Sequence, residues 1–298
     1  MDGVHVTVLL EEVAAACTDL ASGWVVDGTV GQGGHAEAIL ARTPPAVRLM
    51  GLDRDPQALE ASSRRLAAFG DRFVPVHRGY DAMREVLDEA GVEAVDRVVL
   101  DLGLSTTQLD SDRGFSFGGG EQPLDMRFDP TEGRTAAEVI HHITEGELAN
   151  VLFLFGEVPA SRRLAKRLKE ESRVHRMETT ADLVRVCHEV LGQNVRKMPS
   201  PVLPAQALRI LVNREFERLD TFLSDIPTFL APGGRIAVIS FHSGEDRRVK
   251  QAFRTLAASK QFVLPHRKPL SPSAEEQRRN RRSRAAHLRV LERPQEAS

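Results

Sequence analysis

The chain has 298 residues, with 40 Lys and Arg against 42 Asp and Glu, a formal net charge of −2, and 41% hydrophobic residues. This length and balance are typical of a globular protein with one large α/β domain, or one such domain with a substantial insertion. No apolar run approaches the roughly 20 residues of a membrane helix, and the first residues do not resemble a secretory signal. Two distant cysteines exclude a disulfide framework, and the ten histidines form no zinc-binding pattern. We therefore predict a cytoplasmic protein without a metal site and without a membrane partner.

The charge is unevenly distributed along the chain. Residues 266–293 contain nine Lys or Arg and three Glu, a net charge of +6, so the remainder carries −8. Five of the seven residues from 278 to 284 are arginine. A basic segment on an acidic body favours a polyanionic partner such as nucleic acid, and a solvated charged tail explains it equally well.

The first hundred residues alternate short apolar runs with longer amphipathic stretches. The apolar runs predict strands at 24–27, 47–52, 73–77 and 97–102, and the amphipathic stretches predict helices at 56–69 and 82–90. Strands that are apolar on both faces and separated by helices are typical of a parallel sheet covered by helices.

The pattern changes in the middle of the chain. Residues 109–134 are rich in Gly, Asp and Pro, which predicts a long ordered loop, and three capping-box signals then predict helices. Strand signals are absent from about 111 to 200. A long helical region at 206–230 and a strand at 235–241 restore the α/β pattern. We therefore predict a cofactor-binding domain formed by 1–110 and 205–298, and a helical insertion at 111–204.

A glycine-rich turn after the first strand carries a ligand signal. Gly31-x-Gly33-x-x-Ala36 satisfies the dinucleotide fingerprint, and Asp53 ends the next strand 22 residues after Gly31. Glycines let a backbone approach a ligand, and a carboxylate at this position binds ribose hydroxyls. The pattern fits NAD and S-adenosylmethionine alike, because both present an adenosine ribose, and it also fits a tight turn without a ligand.

The fourth strand ends in Asp101-Leu102-Gly103-Leu104-Ser105. In a doubly wound sheet this position borders the crevice in which ligands bind. An acidic group followed by small residues suits a site where cofactor and substrate meet, and a simple strand-end cap is the alternative.

Longer strings of residues carry a family resemblance along nearly the whole chain. They lie at 5–10, 27–35, 51–56, 101–105, 108–110, 113–117, 123–127, 206–213, 240–243, 245–247 and 280–289. On these strings the chain resembles the RsmH (MraW) family, S-adenosylmethionine-dependent methyltransferases that act on cytidine N4 in 16S rRNA.

The resemblance implies a Rossmann-like α/β methyltransferase sheet, with the helical insertion as the substrate-recognition domain. It implies S-adenosylmethionine as the cofactor and 16S rRNA, within the 30S subunit, as the partner. It leaves the oligomeric state open, a homodimer included. Carried over position by position, the family's cofactor contacts fall on Gly33, Gly34, His35, Asp53, Tyr80, Asp101 and Gln108. Tyr80 stands where the family usually has Phe, which preserves an aromatic surface.

Methylation of a cytosine amine suggests roles for further residues. A carboxylate that accepts one N–H of the amine favours pyramidalisation and later removal of the proton, so Asp101 and Ser105 are the candidate catalytic residues. The target base must leave its stack, and Phe115, Phe117 and Arg127 are candidates to stack on it or to anchor the loop. Basic residues at 267–293 are expected to contact phosphates. A basic run lies on a predicted helix, and we interpret it either as a solvated face or as an RNA contact. It consists of Arg162, Arg163, Lys166, Arg167 and Lys169.

Three other functions stay open at this point. An amino-methyltransferase acting on DNA would need the same motifs. An NAD-dependent oxidoreductase would use the glycine turn and Asp53, but would leave the insertion and the basic segment without a purpose. An assembly factor that binds the small ribosomal subunit and has lost catalysis is the third, and intact Gly33, Gly34, Asp53 and Asp101 argue against such a loss.

Overall fold

The computed structural model describes residues 7–117, 121–174, 177–195 and 198–295. The chain divides into two compact units. Unit 1 is formed by Met1–Ser105 and Glu217–Ser298, and unit 2 by Thr106–Phe216. Within the described residues, no helix is long and apolar enough to cross a bilayer.

Strands and helices alternate in unit 1, and helices dominate unit 2. The strands are β1 (Gly23–Asp27), β2 (Val47–Asp53), β3 (Phe73–His77), β4 (Val95–Asp101), β5 (Asn194–Val195), β6 (Met198–Pro199), β7 (Leu230–Ser240) and β8 (His287–Glu292). The helices are α1 (Leu10–Cys17), α2 (Gly34–Arg42), α3 (Pro56–Leu66), α4 (Met83–Glu89), α5 (Thr106–Leu109), α6 (Ala136–His142), α7 (Glu145–Leu154), α8 (Ser161–Val174), α9 (Thr180–Leu191), α10 (Val202–Asn213), α11 (Glu215–Phe229), α12 (Ser243–Ala258) and α13 (Ala274–Arg279).

Unit 1 contains a six-stranded sheet in the order β3-β2-β1-β4-β7-β8. All neighbouring strands are parallel except β7 and β8, which are antiparallel. The strand order reverses between β1 and β4, and ligands of such sheets bind outside the carboxyl ends of the strands at that point. The predicted Rossmann-like α/β fold is confirmed.

Each face of the sheet has its own hydrophobic core. Val25 and Val26 follow each other in β1 and are both fully buried, yet they belong to different clusters. Because successive side chains of a strand point to opposite faces, a strand covered on both sides must be apolar throughout. This explains the uninterrupted apolar runs from which the strands were predicted.

The last part of the basic segment is a strand rather than a free tail. Residues 287–292 form β8 at the edge of the sheet, with Leu288 and Leu291 buried. Arg289 forms an ion pair with Asp246 at 2.8 Å, and Arg293 donates to the Leu230 carbonyl at 2.7 Å. The expectation that 267–293 as a whole contacts phosphates is therefore wrong for these two arginines, which stabilise the sheet edge.

Unit 2 is helical, as the capping signals predict. Thr135, Thr144 and Thr179 are the N-caps of α6, α7 and α9, each in a complete capping box. A two-stranded ladder of β5 and β6 is also present, which the sequence did not predict.

Unit 2 ends later in the chain than the predicted insertion. The predicted helical region at 206–230 is two helices, because Arg214, with a φ of +52°, ends α10 and α11 follows. Helix α10 packs against α6 and α7, so its residues belong to unit 2 rather than to the predicted 205–298 segment. That unit 2 recognises the substrate stays a prediction.

Polar and aromatic contacts hold the described parts of the predicted 109–134 loop, of which residues 118–120 lie outside the described residues. The Arg113 guanidinium donates to the Phe128 carbonyl at 2.8 Å. Phe115 is buried and stacks on Phe128, and Arg127 forms a bidentate ion pair with Asp125 at 2.8 Å. These contacts support the alternative that Phe115 and Arg127 anchor the loop, and that they stack on a base stays a prediction.

Candidate functional site

The carboxylate of Asp53 joins the end of β2 to the glycine-rich turn after β1. One oxygen accepts the N–H of Gly31 and the other accepts the N–H of Asp55, both at 2.9 Å. Each carboxylate oxygen can accept a second hydrogen bond. The N–H of Arg54 donates to the same carboxylate, so Asp53 holds the turn in place and retains one acceptor position for a ligand hydroxyl.

The turn has the backbone that its glycines predict. Gly31 and Gly33 have φ values of +51° and +79°, the left-handed region that favours glycine. A Cβ on Gly33 would lie 3.3 Å from Leu66, and a Cβ on Gly34 would lie only 2.1 Å from the hydroxyl oxygen of Thr7. Gly33 and Gly34 thus let the turn pack closely against its own chain, a role that comes in addition to any contact with a ligand.

A second cluster lies at the end of β4. The backbone N–H of Asp101 donates to the hydroxyl of Thr29 at 2.6 Å, and Nε2 of His35 lies 3.6 Å from Oδ2 of Asp101. His35 is only 5% exposed, and among the described residues its ring nitrogens and Oδ1 of Asp101 have no hydrogen-bond partner. An unpaired buried polar group costs about 1–3 kcal/mol. Such a cluster is typical of a site that a polar ligand completes.

Tyr80 and Ser105 border these two clusters. A Cβ on Gly28 would lie 3.0 Å from Cβ of Tyr80, which places Tyr80 beside the end of β1, and its ring packs edge-on against Phe222. Cβ of Ser105 lies 3.9 Å from the corresponding position on Gly31. The structure therefore brings the predicted residues of unit 1 to one edge of the sheet.

Gln108 is the one predicted cofactor residue in unit 2. It is buried in α5, and its carbonyl accepts the hydroxyl of Ser111 at 2.7 Å. Its contact with a cofactor stays a prediction.

Two residues of the site were not singled out from the sequence. Thr29 anchors the backbone of Asp101, and Asp27, which is 1% exposed, accepts the N–H of Thr29 at 3.2 Å. The available signal was an acidic residue at the end of β1, in the position that Asp53 and Asp101 have on β2 and β4.

Burial raises the pKa of the Asp27 carboxyl to about 7, and the neighbouring Asp101 and Asp53 carboxylates add to this effect. His35 and the N–H of Thr29 act in the opposite direction. Because the pKa of Asp27 in the folded state lies above the ordinary value of 3.8, the contribution of this carboxyl to the free energy of unfolding is most favourable at low pH. That contribution to stability is lost as the pH rises through about 7.

We expect Asp27→Asn to stabilise the protein at alkaline pH. The neutral amide retains an oxygen that accepts the N–H of Thr29 and removes the cost of burying a charge. The free energy of unfolding should increase by about 1–4 kcal/mol at pH 8, and the difference should vanish near pH 4. Urea unfolding of both proteins measures this, and an equal difference at both pH values would contradict the assignment.

Two other chemical groups have structural roles. His242 is the N-cap of α12, where Nδ1 accepts the N–H of Gly244 at 3.2 Å and Nε2 faces Glu245 at 2.9 Å. Cys17 and Cys187 are fully buried, and burial raises the pKa of each thiol to about 12. Neither cysteine is therefore a ready nucleophile.

Sequence comparison agrees with this arrangement. The chain matches the MraW methylase family over residues 2–294. It is 40% identical to the ribosomal RNA small subunit methyltransferase H of Maridesulfovibrio salexigens, over 97% of this chain and 95% of the relative. The proteins of the same name from Synechococcus elongatus and Dictyoglomus turgidum are 41% and 39% identical, over 97% of this chain and 94% and 97% of theirs.

Proposed function

Because the chain belongs to the MraW methylase family, we propose that it methylates the exocyclic N4 amine of a cytidine in the 16S rRNA of the small ribosomal subunit, with S-adenosylmethionine as the methyl donor. The observation that carries this proposal is the pair of clusters at the carboxyl edge of the sheet, one around Asp53 and one around Asp101 and His35. The names of the curated relatives support a ribosomal RNA substrate.

The residues at this edge fit S-adenosylmethionine. Asp53 has an acceptor position left for a ribose hydroxyl, and Tyr80 offers an aromatic surface beside the end of β1. The unpaired buried ring nitrogens of His35 suit a charged group of the methionine part. When bound, the cofactor supplies an electrophilic methyl group on its sulfonium.

Asp101 is suited to orient and deprotonate the target amine. The lone pair of the cytosine amine is delocalised into the ring, so an acceptor for one N–H favours its pyramidalisation. Oδ1 of Asp101 is such an acceptor, and the bond to Thr29 fixes its backbone. The proton of the amine moves to this carboxylate, Ser105 lies nearby to orient the base, and positioning of this kind contributes roughly 7–11 kcal/mol.

The cysteines argue for an amine rather than a ring carbon as the acceptor. Methylation of cytosine at C5 requires a nucleophile that adds to the ring, and a thiolate serves this purpose best. The chain has only Cys17 and Cys187, and both are buried with strongly raised pKa values. Transfer to the N4 amine needs no covalent intermediate with the protein.

The remaining basic residues of 266–293 are proposed to contact RNA phosphates. They lie on and around α13, and comprise Arg267, Lys268, Arg278, Arg279, Arg281, Arg282 and Arg284. Phosphate contacts make affinity fall with added salt, so binding to 30S subunits should weaken steeply as ionic strength rises. Phe117, which lines a cavity of about 560 Å³ with Val184 and His188, stays a candidate for base stacking.

The affinity for S-adenosylmethionine should depend on pH through Asp53. Burial raises the pKa of this carboxyl to about 6, partly offset by the hydrogen bonds from Asp55 and Gly31. Since ribose hydroxyls donate most strongly to the ionised form, affinity should increase as the pH rises through about 6, by up to about tenfold per pH unit below it. Calorimetric titrations between about pH 5 and pH 8 measure this. A dependence that persists unchanged in Asp53→Asn would contradict the assignment.

Transfer of labelled methyl groups tests the function. Wild-type protein is incubated with labelled S-adenosylmethionine and, separately, 30S subunits lacking the modification, naked 16S rRNA and DNA. We expect label in 30S subunits or 16S rRNA and none in DNA. Label in DNA alone would favour the DNA amino-methyltransferase, and saturable NAD binding without S-adenosylmethionine binding would favour an oxidoreductase. Cofactor binding without transfer to any acceptor would favour the assembly factor.

A further inference from the structure

Unit 2 exposes an apolar patch beside two arginines. Phe153 and Leu154, the last residues of α7, are 59% and 60% exposed. Phe153 lines a cavity of about 450 Å³ together with Arg162 and Arg163 at the start of α8. Exposed hydrophobic residues are common singly, but neighbouring ones beside a cavity indicate an interaction surface. We call this the Phe153 surface, and it comprises Ala149, Asn150, Phe153, Pro159, Arg162 and Arg163.

The structure separates the predicted basic run of α8 into two groups. Arg167 pairs with Glu171 at 2.7 Å, and Lys166 lies 3.9 Å from Glu170. Lys169 is buried and donates to the carbonyls of the last turn of α6 at 2.8 and 2.6 Å. Arg167 and Lys169 therefore have close partners within unit 2, and for them the interpretation of the run as one solvated or RNA-binding face is wrong. Lys166 is 65% exposed and fits the solvated face.

Arg162 and Arg163 form the other group. In the described part of the chain, neither guanidinium pairs with a carboxylate, and Arg163 donates to the carbonyl of Val190. Their positive charges are thus uncompensated, and they are the two cations that line the cavity with Phe153. Charge and aromatic surface coincide at this place.

This combination fits a single-stranded nucleic acid better than a second copy of the chain. Bases stack on exposed aromatic rings regardless of sequence, and guanidinium groups bind the neighbouring phosphates. In a two-fold symmetric contact between copies, the same patch would face itself and bring the uncompensated arginines together. The charge of the surface therefore favours a polyanion.

We propose that the Phe153 surface binds a single-stranded segment of the RNA substrate, with a base stacked on Phe153 and phosphates on Arg162 and Arg163. The identity of that RNA rests on the proposed function. The surface would take part in selecting the substrate, and none of its residues is among those proposed to bind the cofactor.

The test compares variants of the full chain in two assays. Fluorescence anisotropy measures the Kd for a labelled single-stranded RNA of 16S sequence, and methyl transfer measures the KM for 30S subunits lacking the modification. Phe153→Ala should raise the Kd about 5–150-fold, whereas Phe153→Tyr should retain wild-type affinity because it keeps the ring. Arg162→Ala combined with Arg163→Ala should lower the salt dependence of log Kd by about 0.7 for each phosphate that the arginines no longer bind.

Matched controls separate the surface from general damage. Val263→Ala removes another exposed apolar side chain, in unit 1, and should leave RNA affinity unchanged. All variants should bind S-adenosylmethionine as the wild type does. An RNA affinity that is unaffected by Phe153→Ala would overturn the proposal. Loss of self-association in this variant, with its RNA affinity kept, would assign the surface to a second copy of the chain instead. If the wild type transfers no methyl group to 30S subunits, the proposed function fails, and the anisotropy assay still decides whether the surface binds RNA.

Discussion

An Asp101→Asn variant is expected to lose about 10²–10⁴-fold in kcat for methyl transfer, the usual contribution of a positioned acid or base. Asparagine has nearly the same size, and the backbone N–H still donates to Thr29. The variant therefore removes the charge and the proton acceptor while leaving the end of β4 in place. The loss should lie in kcat rather than in the affinity for S-adenosylmethionine.

Single-turnover transfer to 30S subunits, together with calorimetric titration of S-adenosylmethionine, separates these two effects. Asp96→Asn is the matched control, because Asp96 accepts the N–H of Trp24 at 2.8 Å near the amino end of the same strand. A normal kcat with a weakened cofactor affinity in Asp101→Asn would assign this carboxylate to the cofactor alone.

Asp53→Ala is expected to weaken S-adenosylmethionine binding about 10–100-fold, because hydrogen bonds to a charged group contribute about 1.5–3 kcal/mol. Part of the effect is indirect. The same carboxylate accepts the N–H groups of Gly31 and Asp55, so its removal also releases the glycine-rich turn.

Two measurements divide the direct part from the indirect part. Urea unfolding reports the cost of releasing the turn, and titration of the cofactor reports the total loss. Restoring one acceptor in Asp53→Asn should recover part of the stability and only a minor part of the affinity. Unchanged cofactor affinity in Asp53→Ala would contradict the assignment of this residue.

The strands that build the site could be predicted because the apolar pattern that indicates each of them lies within its own short stretch of sequence. β1, β2 and β4 are apolar on both faces and each ends in an aspartate, so Asp27, Asp53 and Asp101 could be placed at one edge of a parallel sheet. The left-handed backbone of Gly31 and Gly33 could be expected for the same reason, since a tight turn must follow the first strand.

Contacts between distant segments could not be predicted in this way. The approach of His35 to Asp101 depends on how α2 begins beside β4, and no spacing in the chain encodes it. β8 was not predicted because the basic residues around it, Arg289 and Arg293 among them, are typical of a charged tail. In the structure Arg289 pairs with Asp246, and Arg293 donates to a backbone carbonyl at the sheet edge. In the same way, Lys169 is basic in sequence but serves as a buried donor to helix carbonyls.

The loop of unit 2 illustrates the same limit. Phe115, Arg127 and Phe117 look alike as candidates for base stacking. Only their surroundings distinguish them. Phe115 stacks on Phe128 and Arg127 pairs with Asp125, whereas Phe117 lines an open cavity.

The position of the methyl group on the product nucleoside tests the central claim most directly. 30S subunits lacking the modification are methylated by the wild-type protein, and their 16S rRNA is digested and analysed by mass spectrometry against authentic N4-methylcytidine and C5-methylcytidine. We predict a single cytidine that carries the label on N4. Label on C5 of cytosine, on a ribose or on another base would contradict the account, because an aspartate without an accessible cysteine beside it was inferred to act on an amine.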